Sequence, residues 1–182
     1  AVADIVHKSD VGCVRLNITS LDEARTAYRD VAENARAAGS GSPEHVLVER
    51  MSHGMAEVFI GLKRNPTFGA SVVLGLGGLW VETLRDFSLR LCPVNPDEAM
   101  RMIRELKGAA IIEGRRGQPA GDLAALARLI VSVSELGHRR PDIRELDLNP
   151  VMVMENGSGI VPVDARIVIG NRTPAHPEEG IR

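Results

Sequence analysis

The chain has 182 residues, 44% hydrophobic and 25% charged, with a formal net charge of −2. That length suits one substantial domain or two small lobes, and the near-neutral charge gives no basic stripe for nucleic acid or an anionic membrane surface. No apolar run nears the ~20 residues of a membrane span, and aromatic residues, at 3%, are too few for base-stacking platforms.

Cys13 and Cys92 stand in apolar surroundings without ligand partners nearby, so they read as buried thiols of a reducing compartment. No charged-then-apolar leader with a cleavage site opens the sequence, and a cytoplasmic location is expected. Residues 1–6 already read as strand, so the chain is expected to begin inside a fold.

In chain order, residues 2–6 and 11–18 read as strands joined by His7-Lys8-Ser9-Asp10. Ser20 opens a helix, with Glu23 three residues on completing a capping box. Ala24, Ala27, Tyr28, Val31 and Ala35 supply its apolar stripe, and Gly39 to Pro43 ends it. Residues 45–51 (HVLVERM) and 55–63 (MAEVFIGLK) read as strands around a tight Gly54 turn, and Asn65-Pro66 begins a loop. Residues 70–74 run as an apolar strand into Gly75-Leu76-Gly77-Gly78, and residues 79–84 and 88–94 are further strands. Asn95-Pro96-Asp97 starts a helix with Met100, Ile103 and Leu106 inward. Asp122 caps another, with Leu123, Leu126, Ala127, Ile130 and Val133 inward. Residues 170–182 lack periodicity and are expected to be a loosely ordered tail. The layout is α+β, with strands gathered in sheets and helices packed on one side.

The end of the chain is the most telling part. Residues 145–153 and 160–167 read as two strands about the turn Asn156-Gly157-Ser158-Gly159. Val151 then faces Asp164, with Asn149 one diagonal away. Strand alternation puts Asp147, Asn149 and Asp164 on one face, and Leu146, Leu148, Met152, Val161, Val163 and Ile167 on the other. Oxygen ligands on an open face suit a hard cation such as Mg²⁺, which takes carboxylate and amide oxygens together with substrate phosphates. The same pattern also reads as a plain hairpin with polar residues toward water.

Other segments carry chemistry with equally ordinary alternatives. Glu49 and Glu57, on either side of a turn, suit ribose hydroxyls or an exocyclic amine, or are exposed strand-end charges. The 75–78 glycine run can bring backbone N–H groups to a phosphoryl group, with Glu82, Asp86 and Arg90 close by, or it is a bulge. It matches neither a Walker loop nor GxGxxG. His7 beside Asp10 has the makings of a nucleophile, because a carboxylate fixes an imidazole's tautomer, or it caps a polar hairpin tip. His45, His53, His138 and His176 are scattered and make no zinc spacing. Arg115-Arg116 reads as a solvated loop.

Taken in order, the runs HKSDVGCVRLN (7–17), VLVERM (46–51), AEVFIGLKRNPTFGASVVLGLGGLWVETLRDFSLRL (56–91), LKGAAIIEGRRGQP (106–119), ELDLNPVMV (145–153) and VPVDARI (161–167) resemble one family. It is the ATP-grasp domain of the NDP-forming acyl-CoA synthetases, the group of ADP-forming acetate–CoA ligase, related to the succinyl-CoA synthetase β subunit. The resemblance implies an ATP-grasp fold over residues 1–169, incomplete at its N-terminus, since the earlier lobe with its phosphate-binding lysine has no counterpart here. It implies ATP as substrate, Mg²⁺ as cofactor, and CoA-binding and ligase domains as partners, and leaves a homo- or hetero-oligomer open. The reaction implied is carboxylic acid + CoA + ATP to acyl-CoA + ADP + phosphate. As a fragment the chain is expected to be incomplete for that activity.

Position by position, the family's pattern makes Glu49 the adenine-hinge carboxylate, with Arg50 and Met51 presenting backbone groups to the base. It makes Ser52 and Glu57 further nucleotide contacts. Asn149 and Asp164 match the Mg²⁺ ligands, with Asp147 at the acidic position two before the asparagine. His7 resembles a phosphorylated histidine that relays the phosphoryl group, with Gly77 and Gly78 close to the transfer. Cys13 departs from the pattern, standing where the family has the second glycine of its DVGGV run. Two other readings stay open: an ATP-grasp ligase joining a carboxylate to an amine, and a non-catalytic nucleotide-binding or regulatory module fused to or docking on CoA-binding or acyltransferase domains.

Overall fold

The computed structural model describes residues 11–39, 45–78, 86–114, 117 and 119–170. The expected strands at 2–6 and 79–84, the His7 loop, Glu82, Arg115-Arg116 and residues 171–182 of the tail lie outside them. Two compact units divide the chain between Met51 and Ser52.

The first unit holds helix α1 (Leu21–Ala37). The Ser20 side chain accepts the Glu23 N–H at 3.2 Å, and the Glu23 carboxylate accepts the Thr19 N–H at 2.7 Å. The capping box therefore closes one residue earlier than expected, on Thr19. Val31 and Ala35 bury against Cys13, with Val46 at the margin. The segments expected as strands at 11–18 and 45–51 carry no strand among the described residues. Asn17 takes a left-handed φ of 59° that interrupts extension in the first of them. Leu16 and Val48 are accordingly exposed.

Among the described residues the second unit has six strands: β1 (Ala56–Asn65), β2 (Gly69–Leu76), β3 (Phe87–Leu91), β4 (Ile143–Val153), β5 (Ile160–Pro162) and β6 (Ala165–Ile169). Their order is β3-β2-β1-β4-β5, with β6 also on β4, and every pair is antiparallel. The β1–β2 turn forms because Asn65 Oδ1 accepts the N–H groups of Thr67 and Phe68 at 2.8 and 3.1 Å, with Gly69 at φ 80°. Val58, Ile60 and Leu62 alternate inward on β1, as Val72, Leu74 and Leu76 do on β2.

Against that face lie α2 (Pro96–Glu105), α3 (Ala109–Glu113) and α4 (Leu123–Arg139), through Met102, Ile103, Ile112, Leu126 and Ile130. The helices thus cover one face of an antiparallel sheet, as the α+β reading anticipates. Arg64, near the end of β1, donates to the carbonyls of Gly137, Arg140 and Ile143. It thereby ties the end of α4 to the start of β4. The short α3 has no apolar stripe long enough to read from sequence.

Strand β4 departs from simple alternation. Its register with β1 shifts between Val58 and Ile60, so the inward parity changes: Leu146 is buried before the shift, and Val151 and Val153 after it. An inserted residue in one strand turns every later side chain to the opposite face. Met152 therefore leaves the face it was expected to share with Leu146. Val161, Val163 and Ile167 are exposed, so of the second arm only Ile160 packs against the core among the described residues.

Candidate functional site

The C-terminal hairpin is held in place from α4. Asp122 caps that helix through the Ala125 N–H at 2.9 Å, and its other oxygen accepts the N–H groups of Gly157 and Gly159 at 3.1 and 3.0 Å. The Asn156 N–H meanwhile donates to Ala120. The turn is thus spent on tertiary contacts, and pairing starts at Val153 opposite Ile160. This slides the register away from the expected one: Val151 faces Pro162, not Asp164.

The slide sets Asn149 and Asp164, expected one diagonal apart, opposite each other. The Asn149 N–H donates to the Asp164 carbonyl at 3.2 Å, so the two residues stand directly opposite. Asp147 faces Arg166 two residues along. Asp147, Asn149 and Asp164 are all exposed. Partial loss of solvent around the Asp147 carboxyl raises it above the usual aspartate range; Arg166 opposes that push and the Asp164 charge adds to it. Two carboxylates that feel each other beside an amide make a hard-oxygen set that suits a divalent cation shared with phosphate oxygens. Arg166 stands across from Asp147, and one oxygen of Asp164 accepts the Ala165 N–H at 2.9 Å. Among the described residues no group of three or more His, Cys, Asp or Glu is placed to hold a metal ion. Such a cation would complete its shell with water and phosphate.

A cleft of about 490 Å³ opens beside the start of β1 and the end of β2, and it contains Glu57, Gly77, Gly78 and His53. The Gly77 N–H donates to the Glu57 carbonyl at 2.7 Å. A β-carbon on Gly77 would come within 3.0–3.1 Å of the Glu57 backbone and Cβ, so glycine is what lets these segments touch. A β-carbon on Gly78, at φ 70°, would stand 3.4 Å from Glu57 Oε2, which places the carboxylate directly against the loop. The structure therefore brings Glu57 to the glycine run, a neighbour relation that spacing alone does not give.

Glu49, Arg50 and Met51 belong to the first unit, while Ser52 and Glu57 belong to the second. The 49–51 segment lines a mainly apolar cleft of about 360 Å³ with Tyr28 and Val31 of α1 and Val46. His7 lies outside the described residues. Cys13 is fully buried against α1, so its side chain is absorbed by the core of that unit. Gly12 keeps a φ of 67° and its carbonyl accepts from Asn34 at 2.9 Å.

Two charges near the glycine run have structural work. Asp86 is buried and accepts the N–H groups of Lys107 and Gly108, both at 2.8 Å, which fixes the start of α3. Arg90 pairs with Glu98 and Glu105. His53, which the sequence offers only as one of several scattered histidines, lines the same cleft. It stands beside Gly54, where a β-carbon would meet the Val153 carbonyl at 2.7 Å.

A profile of the ATP-grasp domain matches residues 1–169. The β subunit of an ADP-forming acetate–CoA ligase I from Pyrococcus furiosus is 41% identical over 169 residues, which are 91% of this chain and 71% of that protein. An ADP-forming acetate–CoA ligase I from Archaeoglobus fulgidus is 40% identical over 92% of this chain, but the match spans only 24% of that longer protein. Among solved structures, the dinucleotide-forming acetyl-coenzyme A synthetase 1 of Ca. Korarchaeum cryptofilum superposes with a TM-score of 0.78 at 38% identity, over 93% of this chain and 74% of the other. That structure holds coenzyme A and Mg-AMPPCP, with its phosphohistidine segment pointing towards the nucleotide site.

Proposed function

The chain belongs to the ATP-grasp domain family, and on that premise we infer that it is the nucleotide-binding and phosphoryl-transfer part of an ADP-forming acid–CoA ligase. The observation that carries the reading is the placing of Asn149 opposite Asp164 across the hairpin, with Asp147 two residues before Asn149 on the same strand. Residues 1–169 act as the ATP-grasp part in this reading. The CoA-handling parts come from a second subunit or from elsewhere in a longer chain, since the relatives include both a separate β subunit and a longer single chain. No helix among the described residues is long and apolar enough to cross a membrane, and the proposed location is the cytoplasm.

Phosphoryl transfer needs positioning and charge neutralisation more than covalent chemistry from the protein. Glu49 with the backbone of Arg50 and Met51 takes the base, and Ser52 and Glu57 add nucleotide contacts. Asn149 and Asp164 hold Mg²⁺, with Asp147 alongside; the ion, when bound, neutralises phosphate charge. The imidazole of His7 attacks the γ-phosphorus, ADP departs, and the phosphohistidine exchanges its phosphoryl group with the acyl site. Gly77 and Gly78 serve that transfer in this reading, as the family pattern implies.

Incubating the complete ligase with γ-labelled ATP should deposit acid-labile label on this chain, and His7→Ala should abolish it. Asp164→Ala should lower Mg-dependent nucleotide affinity by about tenfold or more, the scale of one charge-assisted contact. Label that survives His7→Ala, together with unchanged nucleotide affinity in Asp164→Ala, overturns the reading.

A further inference from the structure

We propose that His53 is a nucleotide-binding residue that donates a hydrogen bond to a phosphate oxygen. The proposal rests on the function inferred above and adds to it a side chain that neither the family pattern nor the motif spacing assigns.

The argument starts from what the 490 Å³ cleft offers. Its charged neighbour is the Glu57 carboxylate, held against Gly78. An ionised carboxylate only accepts hydrogen bonds, so by itself it repels phosphate oxygens. The Gly77 N–H is already committed to the Glu57 carbonyl. The remaining described lining residues are glycine, alanine, methionine, leucine and isoleucine. His53 is therefore the one side chain among them that carries an N–H donor. A phosphate entering this cleft is repelled at Glu57 and finds its side-chain donor, among the described lining residues, at His53.

The backbone under His53 is fixed. Gly54 packs so closely on β4 that a β-carbon would meet the Val153 carbonyl at 2.7 Å, and the Met55 N–H donates to that same carbonyl at 2.7 Å. A donor mounted on an anchored segment loses little freedom on binding, which is how a single exposed side chain contributes measurably to affinity. His53 is itself exposed, so its replacement removes the donor and leaves the core untouched.

The test compares binding of Mg-AMPPCP and of adenosine to the complete ligase, in wild type, His53→Ala and His53→Asn. His53→Ala should weaken Mg-AMPPCP by about fivefold to tenfold and leave adenosine unchanged. His53→Asn, which restores an N–H donor, should recover part of the loss. In turnover, His53→Ala should raise the KM for ATP with kcat nearly unchanged. Equal affinity for Mg-AMPPCP in wild type and His53→Ala overturns the proposal, as does a loss that affects adenosine equally. Failure of the wild-type ligase to bind Mg-AMPPCP at all instead sinks the nucleotide-handling function on which it rests.

Discussion

At the scale of single residues, the glycines divide by what their missing side chain permits. Gly77 was read as a phosphate cradle on the strength of its neighbours in sequence. Its structural duty is to let the glycine run lie against β1, which is what sets Glu57 beside Gly78. Sequence shows that a glycine is present, but only the fold shows which backbone approaches it. Gly77→Ala forces the β-carbon into the Glu57 backbone, and overpacking of that kind costs about 1–3 kcal/mol. Chemical denaturation should show that loss, and nucleotide affinity should fall with it because Glu57 is displaced. Cys13 teaches the converse: it was a departure from the family pattern, yet its thiol is taken up by the packing of α1.

At the scale of elements, amphipathic periodicity and cap chemistry made α1, α2 and α4 legible, since Ser20, Asn95 and Asp122 cap them in the structure. The β1–β2 hairpin was equally plain from its alternation and its Asn65 turn. The C-terminal hairpin was legible as an element but not in its register. The sequence shows a Gly-rich turn, whereas Asp122, far away in the chain, decides where pairing begins. The Asp122 carboxyl lies below the usual aspartate range, mainly because it accepts the Ala125 N–H, with Gly159, Gly157 and Arg128 adding and burial opposing. A carboxyl lowered on folding stabilises the fold above its unfolded pKa and loses that contribution as pH falls through the folded value. Asp122→Asn should thus be less stable than wild type at neutral pH, and the gap should close below about pH 4. Urea unfolding at several pH values measures it directly.

For the whole molecule, the division between Met51 and Ser52 runs through the proposed nucleotide contacts, leaving Glu49, Arg50 and Met51 on one side and Ser52 and Glu57 on the other. The family resemblance alone proposes these positions, and the segments expected as strands at 11–18 and 45–51 carry no strand among the described residues, because alternation of apolar residues fits an extended loop as well as a strand. The two thiols turn this division into something that can be timed. Cys13 is sealed in the first unit, and Cys92 is half-buried in the second, where burial pushes its thiol up while a hydrogen bond with Ser134 opposes. Alkylation needs an accessible thiolate, so Cys13 reacts only when its unit opens. Peptide mass spectrometry after iodoacetamide pulses should find Cys92 labelled before Cys13 in buffer. A rise in urea that loosens only the first unit should reverse that order. The chain thus carries one chemical clock in each half, and the two can be read from a single digest.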